Sequence, residues 1–430
     1  MDDFDHRELG KKLDLRRVRS ASNAMQSMTV RRASSLFDRL TGGIGLATTV
    51  LLFLQLLVNL SVFGSFPLLA AFLSVERHLG AGDIASVLTV SLLSSRMLPL
   101  ILGFATDRFN SRVLASLGLV CRAMGFIGLG HVLDFSALVA CAFLSGLGAA
   151  LYETTAYSVF GALKKDVRSR VFVLNNLVLN LGALVGPTVL FLLPAHGGAF
   201  PFEVSGYIFA ALALVAPFAA VRPRGHERPK RVASALFEVC HDRQFRRLCI
   251  ALIPFWTVYT QIYVFIPLTF AQGASGYNGV RPFYIANALF GVLTALLGMR
   301  WFQRARWRSL MSIGHLALLA CFALAALIFL GEWNSQQSLV ILVVIALVFT
   351  FGESLILPAS NIALAELTTE SNAGSYFGAS AVSWAIGGAL GNYLGSMGAR
   401  WTPISLGWLV FAFVSMIGLL CFKRLEQIRA

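Results

Sequence analysis

Between Ile44 and Phe422 the chain presents twelve apolar runs, each of about twenty residues or more, separated by short polar breaks. A hydrocarbon layer about 30 Å thick takes roughly twenty helical residues to cross, and a crossing segment must satisfy its own backbone hydrogen bonds. The runs are 44–73, 84–105, 113–132, 135–163, 171–194, 203–221, 248–271, 282–302, 309–331, 336–362, 376–397 and 403–422, called spans 1 to 12 below. The expected fold class is therefore all-α integral membrane, with twelve transmembrane helices. Composition agrees, since only 13% of residues are charged, against about 25% in soluble domains.

A net charge of +14 would suit a nucleic-acid partner, but its placement argues otherwise. Thirty of the 35 Lys and Arg residues fall in the N-terminal tail, the breaks after spans 2, 4, 6 and 8, and the C-terminal tail, all on one side of an alternating layout. Basic loops stay in the cytoplasm, so both termini are expected there, the span count must be even, and nucleic acid is excluded. The inner (plasma) membrane is the expected location. Residues 1–43 read as a mostly disordered cytoplasmic tail, and 423–430 as a second short one. "RRAS" at Arg31–Ser34 reads as solvated tail before it reads as a phosphorylation site, and Met25 or Met28 could be the true start. Span 1 is too long for a signal-peptide core. Six scattered cysteines without CxxC spacing, scattered histidines and the absence of GxxxxGK[ST] point to no cofactor, no metal and no nucleotide hydrolysis. "GLGAAL" at 146–151 lacks the preceding strand of a dinucleotide loop and reads as helix packing.

The polar stretch 222–247 divides the spans into six plus six, 44–221 and 248–422. Shifting "RVFVLNNLVLNLGALVGP" by 205 positions places Gly182 on Gly387 and Gly186 on Gly391, with Pro187 closing the first motif. Two similar six-helix halves can rock about a central site, which is how many secondary transporters are built. Glycines four apart put one smooth helix face against a neighbour.

The break between spans 2 and 3 reads "GFATDRFNSR", Gly103 to Arg112. Asp107 can accept from backbone N–H groups at a helix start, while Arg108 and Arg112 hold the inner surface. This segment resembles the loop 2–3 signature of the major facilitator superfamily, GxxxDRxGRR in outline. Asn110 stands where Gly is usual and Ser111 where Arg is usual; Asn110 is expected to make the turn through a left-handed backbone. "LVCRAMGFIGLG", "LSGLGAALYE" and "SYFGASAVSWAIGGALG" resemble most the twelve-helix drug:proton antiporter branch, the MdtH-type multidrug resistance transporters among them. The resemblance implies two pseudo-symmetric bundles, with spans 1, 4, 7 and 10 lining a central cavity and spans 2, 5, 8 and 11 joining the halves. It makes Gly103, Asp107, Arg108 and Arg112 a cytoplasmic latch of the outward-open state. Two features depart from the branch: Ala142 stands where an Arg is common in span 4, and Leu190 and Phe191 replace the closing glycines of span 5.

Four ionisable residues lie well inside spans: Arg96, Arg122, Glu153 and Glu353. Nine to eleven residues from their spans' basic ends, they sit roughly 13–17 Å deep at 1.5 Å per residue. A charge there costs at least ~2.5–3.5 kcal/mol unless paired, hydrated or neutralised. Glu153 is either a fixed partner of Arg96 or Arg122, or a carboxyl that gains and loses a proton as access alternates; the implied cavity favours the second. Glu353 is the second proton-coupling candidate, five residues out of register with Glu153 under the 205-residue shift. Arg96 and Arg122 are the ion-pair candidates. Gln55, Asn59, Tyr152, Trp256, Tyr259, Gln261 and Tyr263 are candidates for the cavity wall, with Asn175, Asn176 and Asn180 nearby. Acids among aromatics would suit an organic cation; the arginines would suit an anion or zwitterion.

The function expected is secondary active transport by a monomer: proton-driven export of a drug or an endogenous metabolite such as a siderophore. A proton-coupled uptake symporter is the alternative, and a non-transporting sensor or membrane enzyme a second one.

Overall fold

The computed structural model describes residues 44–192, 198–220, 239, 241–271, 281–304, 306–331, 335–367 and 373–427. The N-terminal tail and most of the central linker lie outside the described residues. All twelve expected runs are helical. They are Leu46–Val75, Ala81–Arg108, Ser111–His131, Phe135–Gly161, Lys165–Leu192, Phe200–Ala219, Arg243–Ala271, Arg281–Arg304, Trp307–Ile328, Ser335–Ala365, Ala373–Gly398 and Ser405–Gln427. Ten are long and apolar enough to cross a membrane among the described residues. Spans 8 and 11, with 24 and 26 residues, are also long enough at about 1.5 Å per residue. Span 11 is less apolar because glycine and serine, which let helices approach closely, occupy much of it.

Polar side chains at the breaks set where helices start. Asp134 caps span 4 by accepting from Ala137 N at 2.9 Å, and Asp242 caps span 7 by accepting from Gln244 N at 2.8 Å. Span 7 consequently begins at Arg243, five residues before the expected boundary. Between spans 2 and 3 the expectation is corrected twice. Span 2 continues to Arg108, so Gly103, Asp107 and Arg108 belong to its last turns instead of a loop. Asn110 has φ −67° and ψ 121°, an extended backbone, and its side chain accepts from Arg112 N at 3.0 Å. Asn110 therefore serves as the cap of span 3, and no left-handed turn is needed.

Spans 1 and 7 are each interrupted by one 3₁₀ turn, at Phe66–Leu68 and Thr260–Ile262. Pro67 lies in the first, and Pro267 follows the second; neither has an N–H to continue the α-helical ladder.

Neighbouring spans repeat between the halves. Span 3 packs on 4 and 6, span 2 on 4, and span 1 on 5 and 6; adding six to each number gives the packing of the second half. Close approaches repeat as well. A Cβ at Gly186 would meet Leu60 O at 2.6 Å on span 1, and one at Gly391 would meet Thr257 O at 2.6 Å on span 7. The glycine faces of spans 5 and 11 thus lie against the first helix of their own half. Between the halves, span 2 packs on span 11 and span 5 on span 8. Large apolar side chains such as Leu214 and Phe218 remain 76% and 77% exposed, as on helices that face lipid. A groove lined by Trp401 and by Leu406, Leu409 and Phe413 of span 12 belongs to that outer apolar surface and includes none of the four intramembrane charges.

Candidate functional site: charges and aromatics between the halves

Spans 2 and 11 run antiparallel, and each step along one is matched on the other. Ser86 Oγ lies 3.2 Å from Tyr393 Oη, Asn392 Nδ2 donates to Thr89 Oγ1 at 3.2 Å, and Leu92 fills the space over Gly388. The Arg96 guanidinium ends this series, 3.6 Å over the Trp384 ring. At the same end of the bundle, Tyr284 Oη of span 8 donates to Pro67 O at 3.0 Å, and Arg400 Nη2 donates to Leu79 O at 2.6 Å. These four cross-half hydrogen bonds lie in the halves of the helices opposite the chain termini. The halves are closed there, and the closure reaches down to Arg96.

The charged layer divides into three environments. Arg122, 6% exposed, places Nη1 3.5 Å from Glu153 Oε1 and its guanidinium over Phe209 at 5.3 Å. A charge-assisted hydrogen bond is normally about 2.7–2.9 Å, so this pair is loose, and the Glu153 side chain keeps 33% of its surface exposed. Arg122, on span 3, is thus the arginine that Glu153 finds.

Arg96 has no carboxylate partner among the described residues. Trp384 stacks on Trp256 with centroids 4.6 Å apart at 11°. Two groups cannot share one ring face at those separations, so the Trp384 indole is sandwiched between Arg96 and Trp256. Tyr259 meets both indoles edge-on, and its hydroxyl lies 3.4 Å from that of Tyr263, which in turn faces Phe66. Cation–π contact offsets part of the cost of the guanidinium, by roughly 2 kcal/mol when desolvated.

Glu353 sits on span 10 with Oε1 accepting from Asn287 Nδ2 at 3.1 Å; the same amide nitrogen donates to Thr350 Oγ1 at 2.7 Å. Its Oε2 is buried without a hydrogen-bond partner, and no cation pairs with it among the described residues. The packing also revises its register. Gly118 meets Gly148 O across spans 3 and 4 at 2.9 Å for an added Cβ, as Gly314 meets Gly352 O across spans 9 and 10 at 2.9 Å. Matching Gly148 with Gly352 makes Ala149 the equivalent of Glu353. Glu353 is therefore four residues, one helical turn, out of step with Glu153 instead of five. The two acids occupy corresponding faces of spans 4 and 10, about 6 Å apart in depth.

Three residues expected on the cavity wall are enclosed in helix contacts. Tyr152 is 0% exposed, and its backbone packs against Gly118 of span 3. Gln261 is 0% exposed and donates to Thr257 O and, at 3.2 Å, to Gly391 O, tying span 7 to span 11. Gln55 is also buried. For Gln261 the contact is a hydrogen bond between helices, whereas the Tyr152 hydroxyl is buried without a partner. Asn59 is half-buried with its Cβ against Gly182. The side chains of Gly103, Asp107 and Arg108 lie outside the described residues, while Arg112 is exposed.

Trp384, Asn287 and Phe66 join this site without having been singled out from the sequence. Trp384 is the lone indole in a glycine-rich span and Asn287 the lone asparagine of span 8, which is the signal that could have marked them. His315, buried at 1% with Nδ1 2.8 Å from Met311 O, is packed between Phe255 and Phe422, with Phe255 separating it from Trp256 and Tyr259. Among the described residues no cluster of three His, Cys, Asp or Glu could hold a metal ion.

Residues 51–391 match the family described as Major Facilitator Superfamily. The chain is 25% identical over 389 residues to "Multidrug resistance protein MdtH" of Aeromonas salmonicida (strain A449), covering 86% of this chain and 94% of that one. The protein of the same name from Salmonella arizonae is 25% identical over 376 residues, covering 84% and 89%. Among solved structures, a POT family transporter in complex with a thioalcohol-conjugated peptide superposes with TM-score 0.71 at 17% identity, covering 90% of this chain and 96% of that one. The nucleoside transporter NupG (D323A mutant) does so with TM-score 0.69 at 16% identity, covering 88% and 100%. These low identities speak for the fold alone. With twelve helices in two repeated six-helix bundles and a family match over most of its length, the chain belongs to the major facilitator superfamily and is a multi-pass membrane transporter, not an enzyme.

Proposed function

We propose that this transporter exports a small organic compound, a drug or an endogenous product such as a siderophore, in exchange for protons across the inner membrane. It works as a monomer by rocking 44–221 against 248–422 about the layer of Arg96, Glu153 and Glu353. With thirty basic residues on the side of the termini, that side is the cytoplasm, and the closed end is the outer one. The geometry is then inward-facing. In the opposite state Gly103, Asp107, Arg108 and Arg112 would latch the cytoplasmic ends of the halves together. The name carried by the relatives, multidrug resistance protein, supports an exported organic substrate.

The observation that carries proton coupling is the state of Glu353. A carboxyl near mid-membrane with one oxygen held by Asn287 and the other buried without a partner has, among the described residues, no cation to balance a charge. It can be neutral by holding a proton in this state and release that proton when rocking brings water to it. Glu153, already beside Arg122, is the less free of the two acids and acts here as a counter-ion. The experiment is a gradient assay in everted membrane vesicles with acid interior. A screen of organic compounds should find some whose addition dissipates the gradient only when this protein is present. Proton-coupled movement of the same compounds out of such vesicles would instead support the uptake symporter, and a protein that dissipates no gradient with any compound would defeat the reading.

A further inference from the structure

Three buried polar atoms without hydrogen-bond partners stand on helices that meet about the central layer. Arg96 Nε and Trp256 Nε1, both donors, are buried and unpartnered at the two faces of Trp384. Glu353 Oε2, an acceptor, is buried and unpartnered on the other cavity-lining helix of the same half as Trp256. Buried polar groups in folded proteins are nearly all satisfied, and each exception calls for an explanation such as a missing ligand. Tyr259 packs edge-on against Trp256 and Trp384, and Tyr263 stands beside it, so an aromatic surface runs from the Arg96 pole along span 7. The Arg96 Nη nitrogens donate to no described residue, and the side chain is only half-buried, so its outer edge is open to a ligand.

We propose that the substrate is a zwitterion with a flat, aromatic body: its acidic group faces Arg96 and the Trp256 N–H, its amine faces Glu353, and its ring lies on the Trp and Tyr side chains between them. This rests on the reading of the protein as an exporter with a central site, and it narrows the substrate class within that reading. Once Glu353 has given up its proton, an organic cation would answer it and leave Arg96 uncompensated; an organic anion would do the reverse. Only a molecule with both charges relieves both poles, and it does so by bridging Arg96 of the first half to Glu353 of the second. Such a bridge pulls the halves toward each other around the ligand.

The test is equilibrium binding by calorimetry to the purified full chain in lipid nanodiscs, without any gradient. The probes are three compounds of one ring system: naphthylalanine as zwitterion, naphthylethylamine as cation and N-acetyl-naphthylalanine as anion. A charged hydrogen-bonded group is worth about tenfold to a hundredfold in affinity, so the zwitterion should bind at least about tenfold more tightly than either analogue. Arg96→Gln should bring the zwitterion down to the level of the amine, and Glu353→Gln should bring it down to the level of the anion. Arg96→Lys, which keeps the charge, should retain part of the preference. If the amine or the anion binds as well as the zwitterion, if the zwitterion does not bind, or if Arg96→Gln leaves the ratio intact, the assignment is overturned. Because no gradient is involved, failure of proton coupling would leave this result standing, and failure of this result would leave coupling untouched.

Discussion

Replacing Glu153 by Gln tests whether that acid is a counter-ion or a proton site. Arg122 is 6% exposed, and its carboxylate partner is Glu153, 3.5 Å away. At an effective dielectric of 20, unit charges at that distance attract by ~5 kcal/mol before desolvation is counted. Removing one partner of a fully buried pair costs about 3–5 kcal/mol, because the other charge is left uncompensated. Glu153 is one-third exposed and the contact is long, so the expected loss is at the low end, ~2–3 kcal/mol. In thermal unfolding of purified protein this should appear as a fall of about 5 °C. The double variant Arg122→Leu, Glu153→Leu removes both charges and should lie within ~1 kcal/mol of the parent, since apolar replacement of a buried pair is often neutral. A Glu153→Gln protein as stable as the parent, or a double variant as damaged as the sum of the two singles, would refute the counter-ion role.

Other variants probe packing and closure. Gly391→Val should separate spans 7 and 11 and sharply reduce the folded yield, because a Cβ there meets Thr257 O at 2.6 Å, whereas Gly378→Ala, with nothing within 4 Å, should be neutral or stabilise by up to ~1 kcal/mol. Cysteines at Thr89 and Asn392, whose side chains now hydrogen-bond at 3.2 Å, should cross-link under oxidation and stop transport until reduced; full transport in the cross-linked protein would contradict rocking about this contact. Asp107→Ala should lower the outward-open population, read as reduced labelling of cysteines placed at the outer ends of spans 1 and 7.

The twelve helices were legible because each run must be apolar over a membrane thickness, and the two halves were legible because glycines at helix contacts repeat with the helices they touch. Helix ends were less so: Asp242 and Asn110 decide them by accepting backbone N–H bonds, two at Asp242 and one at Asn110, which hydropathy does not register. The charged layer was visible as four misfits in apolar sequence, but its pairing was not. Which arginine reaches Glu153 depends on rotation of spans 2 and 3, set by Gly118 meeting Gly148 and by Leu92 meeting Gly388. Tyr152 and Gln261 carry polar atoms that serve equally in a wall or a helix contact, and only packing distinguishes these. Trp384 escaped notice because its importance comes from Arg96 and Trp256, more than a hundred residues away in the chain.

The central claim is that Glu353 carries the coupling proton while Glu153 balances Arg122. Proteoliposomes containing wild type, Glu353→Gln or the Arg122→Leu, Glu153→Leu pair separate those roles, using a substrate identified in the vesicle screen. For each, transport driven by an imposed pH gradient is compared with exchange of labelled for unlabelled substrate at uniform pH. The account predicts that at saturating substrate Glu353→Gln loses gradient-driven transport and keeps exchange, while the double variant keeps both. Gradient-driven transport that survives in Glu353→Gln, or that is lost in the double variant while its exchange remains, would contradict it.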